Sequence, residues 1–189
     1  MDDIRTERLI ITRFTQDMAR AVHQNSLDDD NRRFVPDEVF ETVEDAAKTV
    51  AFLMFRYDTE GGPFVCPVLL SDGSSAGYVQ LAQAQDGWEI GYHIAGQYTG
   101  RGYATEAVRA FLPAIARQKG LTEILGISLR ENAASVRVME KCGFQPVFAG
   151  RGPYQGQERD IVKMVWRNDP ASSCTDISAG TVGRRAEEG

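Results

Sequence analysis

A glycine loop between a predicted strand and a predicted helix is the feature that most constrains how this chain folds. The apolar residues 88–94 predict the strand, and helical spacing begins at Tyr103. Gly100 and Gly102 lie between them, where the missing Cβ lets the backbone turn sharply and approach a ligand. The first N–H groups of such a helix are unpaired and lie at the positive end of its dipole. The loop therefore predicts an anion site, most naturally for phosphate, with Arg101 adding charge; a plain strand-to-helix turn is the alternative.

The rest of the chain predicts one α/β (α+β) domain with a mixed, mostly antiparallel sheet. Alternating and helical spacing of apolar residues predict about seven strands and four helices, in the order β-α-α-β-β-β-α-β-α-β-β. Strands are predicted at 9–14, 64–70, 76–84, 88–94, 123–129, 146–149 and 159–165, and helices at 15–25, 42–60, 103–119 and about 133–142. We expect an irregular stretch at 26–40, a domain spanning 1–167 and a mobile polar tail at 168–189.

Charge and residue usage exclude several classes of function. A net charge of −6 disfavours nonspecific nucleic-acid binding. No apolar run approaches the roughly 20 residues that a membrane span needs, and the acidic N-terminus lacks a signal segment. Three widely spaced cysteines and two histidines disfavour a metal site or a disulfide framework. These features predict a cytoplasmic protein without nucleic-acid, membrane or metal partners.

Acidic residues are concentrated in one part of the chain. Residues 25–62 hold ten acids and four bases, so this stretch alone has a net charge of −6. Such a stretch is either a solvated loop and helix face or an acidic wall that attracts a cationic substrate. Both interpretations fit the sequence.

Three stretches of sequence carry a resemblance to a known family. They are residues 97–107 (Gln-x-x-Gly-x-Gly, continuing as Gly-Tyr-Ala-Thr-Glu-Ala), 132–144 (Asn-Ala-Ala-Ser, then Glu-Lys-Cys-Gly-Phe) and 6–10 (Thr-Glu-Arg-Leu-Ile). With these three stretches and the predicted strands between them, the chain resembles the GCN5-related N-acetyltransferase (GNAT) superfamily. Within that superfamily it most resembles the ribosomal-protein-alanine (RimJ/RimL-like) group. The resemblance covers about residues 4–166 and implies the GNAT fold with splayed central strands.

The resemblance also implies acetyl-CoA as cosubstrate, bound where strand 88–94 splays from strand 123–129. Backbone groups of three residues would bond the pantetheine arm: Tyr92, His93 and Ile94. Backbone amides of the loop would cradle the pyrophosphate: Gln97, Tyr98, Thr99, Gly100, Arg101, Gly102, Tyr103, Ala104 and Thr105. Asn132 would bond the pantetheine or acyl end, and Ser135 would lie near the thioester sulfur. A helix N-cap and an exposed serine are their alternatives.

Amine acetylation needs a base, because an alkyl ammonium with a pKa near 10.4 is almost wholly protonated at neutral pH. Glu89 is the candidate: it shares one strand face with Gly91 and His93, and the resemblance implies a glutamate base on this strand, as in some acetyltransferases of the superfamily. A surface or structural carboxylate is the alternative for Glu89. His93 is a further candidate by its ordinary pKa, with a backbone-only role as its alternative. The family group is thought to pair the helix serine, here Ser135, with an acid soon after the Gly-Phe. The corresponding segment 149–154 holds no acid; Tyr154 in it is a candidate acid, water-holder or substrate wall.

The sequence therefore predicts an N-acetyltransferase that moves an acetyl group from acetyl-CoA to a primary amine. The acceptor is a peptide or protein N-terminus or a small cationic amine, and a homodimer is left open. An acyl-CoA-binding sensor or scaffold without transferase activity is the main alternative. A dinucleotide-binding fold is disfavoured, because Thr105 occupies the position of the third glycine and an antiparallel meander precedes the loop.

Overall fold

The computed structural model describes residues 2–168, which form one mixed eight-stranded sheet with five α-helices. The strands are β1 (Ile4–Arg5), β2 (Leu9–Ile11), β3 (Phe64–Leu70), β4 (Ser75–Ala84), β5 (Gly87–Ile94), β6 (Glu123–Leu129), β7 (Gln145–Tyr154) and β8 (Gln157–Arg167). The helices are α1 (Ala19–Ser26), α2 (Asp29–Phe34), α3 (Val43–Arg56), α4 (Tyr103–Lys119) and α5 (Ala133–Lys141). Short 3-10 turns lie at Gln16–Met18, Pro36–Glu38 and Gly96–Tyr98.

The sheet contains a fork at its centre. The strand order is β1-β2-β3-β4-β5-β6-β8-β7, and every neighbouring pair is antiparallel except β5 and β6. These two parallel strands are paired only at Glu89 with Leu125 and at Ile90 with Gly126. Beyond Ile90, β5 keeps its bonds to β4 but has no partner on the β6 side. The predicted splay of the central strands is thus present, and it opens a cleft.

The helices cover the two faces of the sheet. Alternate residues of β3 belong to different clusters, because Phe64 and Cys66 pack with α4 and Met139, whereas Val65 packs with α1 and α3. Since successive side chains of a strand point to opposite faces, α4 and α5 lie on one face and α1 and α3 on the other. The fork therefore runs between two helical layers.

Helix ends follow the chemistry predicted from the sequence. Thr42 caps α3, since its Oγ1 accepts a hydrogen bond from the N–H of Asp45 (3.1 Å). Asn132 caps α5 in the same way through the N–H of Ser135 (3.1 Å). Gly120 ends α4 in the left-handed conformation (φ 66°), as glycine does without the steric cost of a Cβ.

The structure corrects the prediction in the stretch 26–40, which is not irregular. It contains α2 and the 3-10 turn Pro36–Glu38. Helical apolar spacing is absent from α2, so the sequence pattern could not reveal it. Two acids in its first turn and two arginines in its last turn are the arrangement that the helix dipole favours. The first predicted strand also ends early, at Ile11, and Thr15 precedes a 3-10 turn without a side-chain cap bond.

The last two strands are longer than predicted and form one hairpin, β7 to β8. Most of β7 is exposed, because it lies at the sheet edge and pairs only with β8. An exposed edge strand lacks the buried alternating face that sequence patterns detect. The structure has eight strands and five helices where about seven and four are predicted, and the two additional elements are β1 and α2.

Part of the predicted domain organisation stays a prediction. The tail 168–189 lies outside the described residues apart from Asn168, whose N–H donates to the carbonyl of Thr122 (2.8 Å). Within residues 2–168, no helix is long and apolar enough to cross a membrane. The domain range 1–167 and the cytoplasmic location are likewise left as predictions.

Candidate active site

The fork between β5 and β6 opens into a cleft of about 660 Å³. Most of the predicted site residues line it: Glu89, Tyr92, His93, Ile94, Tyr98, Thr99, Gly100, Gly102, Tyr103, Ala104, Thr105, Asn132, Ser135 and Tyr154. Gln97 and Arg101 do not line the cleft, and both are exposed. The guanidinium of Arg101 instead lies 5.9 Å from the ring centre of Tyr98. Residues far apart in sequence are thus gathered at one cavity, while a cofactor role for Gln97 and Arg101 stays a prediction.

The glycine loop has the conformation that anion binding needs. Gly100 (φ 74°) and Gly102 (φ 82°) are both left-handed, and a Cβ at Gly100 would meet no atom within 4 Å. The first bond of α4 runs from the N–H of Glu106 to the carbonyl of Gly102 (3.0 Å), and no side chain caps this end. The N–H groups of residues 103–105 therefore have no intrahelical partner and lie at the positive end of a 17-residue helix. The loop fits a phosphate group.

An arginine that the sequence reasoning missed supports this loop. Arg8 donates from Nη1 to the carbonyl of Arg101 (3.0 Å) and from Nε to Glu106 (2.7 Å), and its guanidinium lies 4.7 Å from the ring centre of Tyr103. Thr6 also donates to Glu106 (2.6 Å). The stretch 6–10 therefore holds the first turn of α4, which explains why it accompanies the glycine loop in the resemblance.

Two further basic side chains of the cleft were not predicted from the sequence. Arg137 and Lys141 on α5 line the same cavity as the glycine loop, and both are positively charged. Both occupy one side of α5, four residues apart, and this spacing on the predicted helix was the available signal.

A hydrogen-bonded group on α5 fixes the serine of the site. The hydroxyl of Tyr92 lies 2.9 Å from the carbonyl oxygen of Ser135 and 3.0 Å from its Oγ. Asn132 caps the helix at the same point, so the N-cap alternative for Asn132 is observed, and the residue lines the cleft as well. Burial raises the pKa of Tyr92, which keeps its hydroxyl protonated at neutral pH. Ser135 is therefore held at the cleft rather than exposed on the helix surface.

The side chain of His93 lies on the face of β5 opposite to that of Tyr92, next to α1 and α2. Its Nε2 is 3.8 Å from Oδ2 of Asp28, too far for a hydrogen bond. Burial lowers the pKa of His93, while the charges of Asp28 and Asp30 act against that shift. Asp28 also accepts a hydrogen bond from the N–H of Gly96 (2.6 Å), and so ties the wall formed by α1 and α2 to the start of the glycine loop.

Glu89 stands at the apex of the fork, at one of the two positions where β5 and β6 are paired. Burial raises its pKa to about 7, while the nearby Lys163 acts to lower it and Asp86 to raise it. A carboxyl group with a pKa near 7 is half-ionised at neutral pH, which suits a general base. The candidate base predicted from the strand face therefore lies in the cleft with a suitable acidity.

A second carboxyl group, missed by the sequence reasoning, shares this environment. Glu38 follows α2, lines the cleft and has its pKa raised to about 7 by burial. It accepts hydrogen bonds from the Tyr78 hydroxyl and from Nε2 of Gln80 (3.4 Å). Burial raises the pKa of Tyr154, and the charges of Glu89 and Glu38 add to that shift, so the phenol stands near both carboxylates. The sequence signal for Glu38 was its place in the acidic stretch 25–62, but nothing there distinguished it from the other nine acids.

Comparison with known proteins decides the family. Residues 8–145 match the model of the acetyltransferase (GNAT) domain. The chain belongs to the GNAT acetyltransferase family. Over 145 residues it is 31% identical to the uncharacterized N-acetyltransferase YnaD of Bacillus subtilis, a match that covers 75% of this chain and 82% of that protein.

Solved structures have the same fold. A GNAT-family acetyltransferase from Bacillus anthracis superposes with a TM-score of 0.74 at 28% identity, covering 87% of this chain and 98% of the other. RimL, a ribosomal L7/L12 alpha-N-protein acetyltransferase solved with coenzyme A, superposes with a TM-score of 0.73 at 18% identity, covering 87% and 97%. The predicted GNAT fold with RimJ/RimL-like relatives is confirmed, and the protein is an acyltransferase whose acetyl donor is acetyl-CoA.

Charge divides the cleft of this GNAT acetyltransferase. The basic side chains that line it, Arg137 and Lys141, are on α5. The acidic ones are Asp30 of α2, Glu38 and Glu89. Within residues 2–168, no group of three or more His, Cys, Asp or Glu side chains is placed to hold a metal ion. The cleft thus offers a basic side to an anionic donor and an acidic side to a second substrate.

Proposed function

We propose that the protein transfers the acetyl group of acetyl-CoA to a primary amine by direct attack of the amine on the thioester. The acceptor is a peptide or protein N-terminus or a small cationic amine. The observation that carries this proposal is the division of one cleft into a glycine loop with free helix N–H groups and an acidic side with Glu89 at the apex of the fork.

Binding of the acetyl donor is assigned mainly to backbone groups. The N–H groups that start α4 would bind the pyrophosphate, and Arg137 and Lys141 add positive charge on the same cleft. The edge of β5 that lacks a β6 partner, at 91–94, would bond the pantetheine arm as an added strand does. Acetyl-CoA supplies the activated acyl carbon, and the chain supplies its position.

Three side chains are assigned roles in the reaction: one takes a proton and two supply hydrogen bonds. The amine nitrogen forms a bond to the acyl carbon as the bond from that carbon to sulfur breaks. Glu89 takes a proton from the attacking amine, directly or through one water. Ser135 would turn its single O–H from the Tyr92 oxygen to the departing sulfur, while Tyr92 keeps donating to the Ser135 carbonyl. Tyr154 stays protonated because its pKa is raised, and it would hold the water or the amine between Glu89 and Glu38.

The acidic side of the cleft supports a cationic acceptor. Asp30 and Glu38 belong to the stretch 25–62, and both face the cavity rather than only the solvent. Carboxylates in a partly buried cleft attract and orient an ammonium group, because low local dielectric strengthens the interaction. A neutral acceptor such as an alcohol gains nothing from this wall.

A thiol-release assay tests the proposal. The protein is incubated with acetyl-CoA and a panel of primary amines, free thiol is followed with time, and the acetylated amine is identified by mass. We expect thiol release that depends on the amine and one acetyl group on its nitrogen for each thiol released. Binding of acetyl-CoA without turnover on any amine would instead support the sensor or scaffold alternative.

A further inference from the structure

A second cavity, of about 260 Å³, lies between α1, α3 and the sheet. Its wall is largely apolar and includes Phe14, Val22, Phe40, Leu53, Pro63 and Val65. Five residues line both this cavity and the cleft: Asn31, Glu38, Tyr78, Gln80 and His93. The two spaces therefore adjoin across a polar boundary, and the apolar cavity lies beside the acidic side of the cleft.

The boundary holds a buried acceptor without a donor. Asn31 is only 2% exposed, and its Oδ1 accepts no hydrogen bond from any residue in the part of the chain that is described. A buried carbonyl oxygen that lacks a partner is rare in native proteins because it destabilises the fold. Glu38 lies on the same boundary with its carboxylate hydrogen-bonded to Tyr78 and Gln80, so an ammonium group placed there would lie beside that carboxyl group and the Asn31 oxygen.

These two features describe one kind of ligand, with an amine at the boundary and an apolar group in the cavity. We propose that the second cavity is a subsite for an apolar substituent of the acceptor amine, a branched aliphatic chain or a single aromatic ring. An apolar cavity of about 150 Å³ already binds benzene, so the volume here is sufficient. The inference rests on the proposed function and narrows it, since polyamines and aminoglycosides carry no such group.

Charge-matched amines and two cavity-filling variants test the subsite. Glycinamide, leucinamide and phenylalaninamide present the same α-amine with different side chains. In the wild type, we expect kcat/KM for the two larger amides to exceed that for glycinamide by about tenfold or more, because an apolar side chain leaves water. Val22→Phe and, independently, Thr49→Leu fill the cavity, and each should reduce this ratio to near one while KM for acetyl-CoA stays unchanged.

The control is Val43→Phe, the same change at an exposed position of α3 that lines neither cavity, and it should keep the wild-type ratio. Equal kcat/KM for all three amides, or filled variants with a higher Tm and an unchanged ratio, would overturn the subsite and identify a void in the core. Failure of the proposed function looks different, since then no amide is acetylated. In that case calorimetry with the acetyl-CoA-loaded protein decides: binding of phenylalaninamide no tighter than glycinamide overturns the subsite.

Discussion

Two half-buried carboxyl groups face one cleft and have similar pKa values. Burial raises the pKa of both Glu38 and Glu89 to about 7, but their positions differ. Glu89 is at the apex of the fork, next to the unpaired edge of β5, whereas Glu38 lies on the boundary of the apolar cavity. We therefore assign proton removal to Glu89 and orientation of the ammonium group to Glu38.

Sequence identified one of these carboxyl groups and not the other for a physical reason. Glu89 lies on the predicted strand that leads to the glycine loop, and the family resemblance implies a glutamate base on that strand, so local sequence was enough to locate it. Glu38 reaches the cleft only because α2 and the following turn fold across the sheet, a long-range arrangement with no local pattern. The same holds for Arg8, which meets Glu106 across 98 residues.

The role of Arg8 in holding the glycine loop can be tested by substitution. Arg8→Ala removes the hydrogen bonds that hold the Arg101 carbonyl and Glu106 at the start of α4. We expect KM for acetyl-CoA to rise roughly fivefold, the effect of about 1 kcal/mol, with kcat at saturation nearly unchanged. Steady-state kinetics with varied acetyl-CoA measures both. Arg5→Ala, on neighbouring β1, is the control and should leave KM unchanged, since within residues 2–168 the Arg5 guanidinium is paired only with Asp3 (3.4 Å). A fall in kcat alone would contradict a positioning role for Arg8.

Among the elements of the fold, the glycine loop and α4 form one unit. Both ends of α4 have a left-handed glycine, but only the first end belongs to the anion site. Gly102 begins the helix and Gly120 ends it, and both are left-handed. The sequence predicted both ends of α4 correctly, because apolar spacing and glycine caps are local signals. It missed α2 and most of β7, whose positions depend on charge at helix ends and on pairing with β8.

The two glycines of α4 provide a matched test. Val is strained in the left-handed region, so Gly102→Val and Gly120→Val should each destabilise the fold by about 1–2 kcal/mol, read as a lower Tm. Only Gly102→Val should raise KM for acetyl-CoA, on the order of tenfold, because it distorts the anion site. Equal KM values for the two variants would show that the loop does not hold the donor.

At the scale of the whole molecule, the fork is what brings the three groups of site residues together. Strands β5 and β6 separate after Ile90, and the glycine loop, α5 and the wall formed by α1 and α2 surround the gap. The family resemblance predicted this gap, whereas periodicity alone predicted only a mixed sheet. The second cavity lies between α1, α3 and the sheet. No sequence pattern predicts where packing leaves an unfilled volume.

Glu89 is central to the proposed mechanism, and a pH–rate profile tests its role most directly. Kcat at saturating amine should rise with pH through about 7 in the wild type, because Glu89 must lose its proton before it can accept one. Glu89→Gln should lower kcat roughly 10²–10⁴-fold and remove this inflection, because the ionisation of Glu38 acts on amine binding and therefore on KM. Glu38→Gln should keep that inflection, and exposed Glu123→Gln should match the wild type. An unchanged profile in Glu89→Gln, or loss of the inflection in Glu38→Gln instead, would contradict the account.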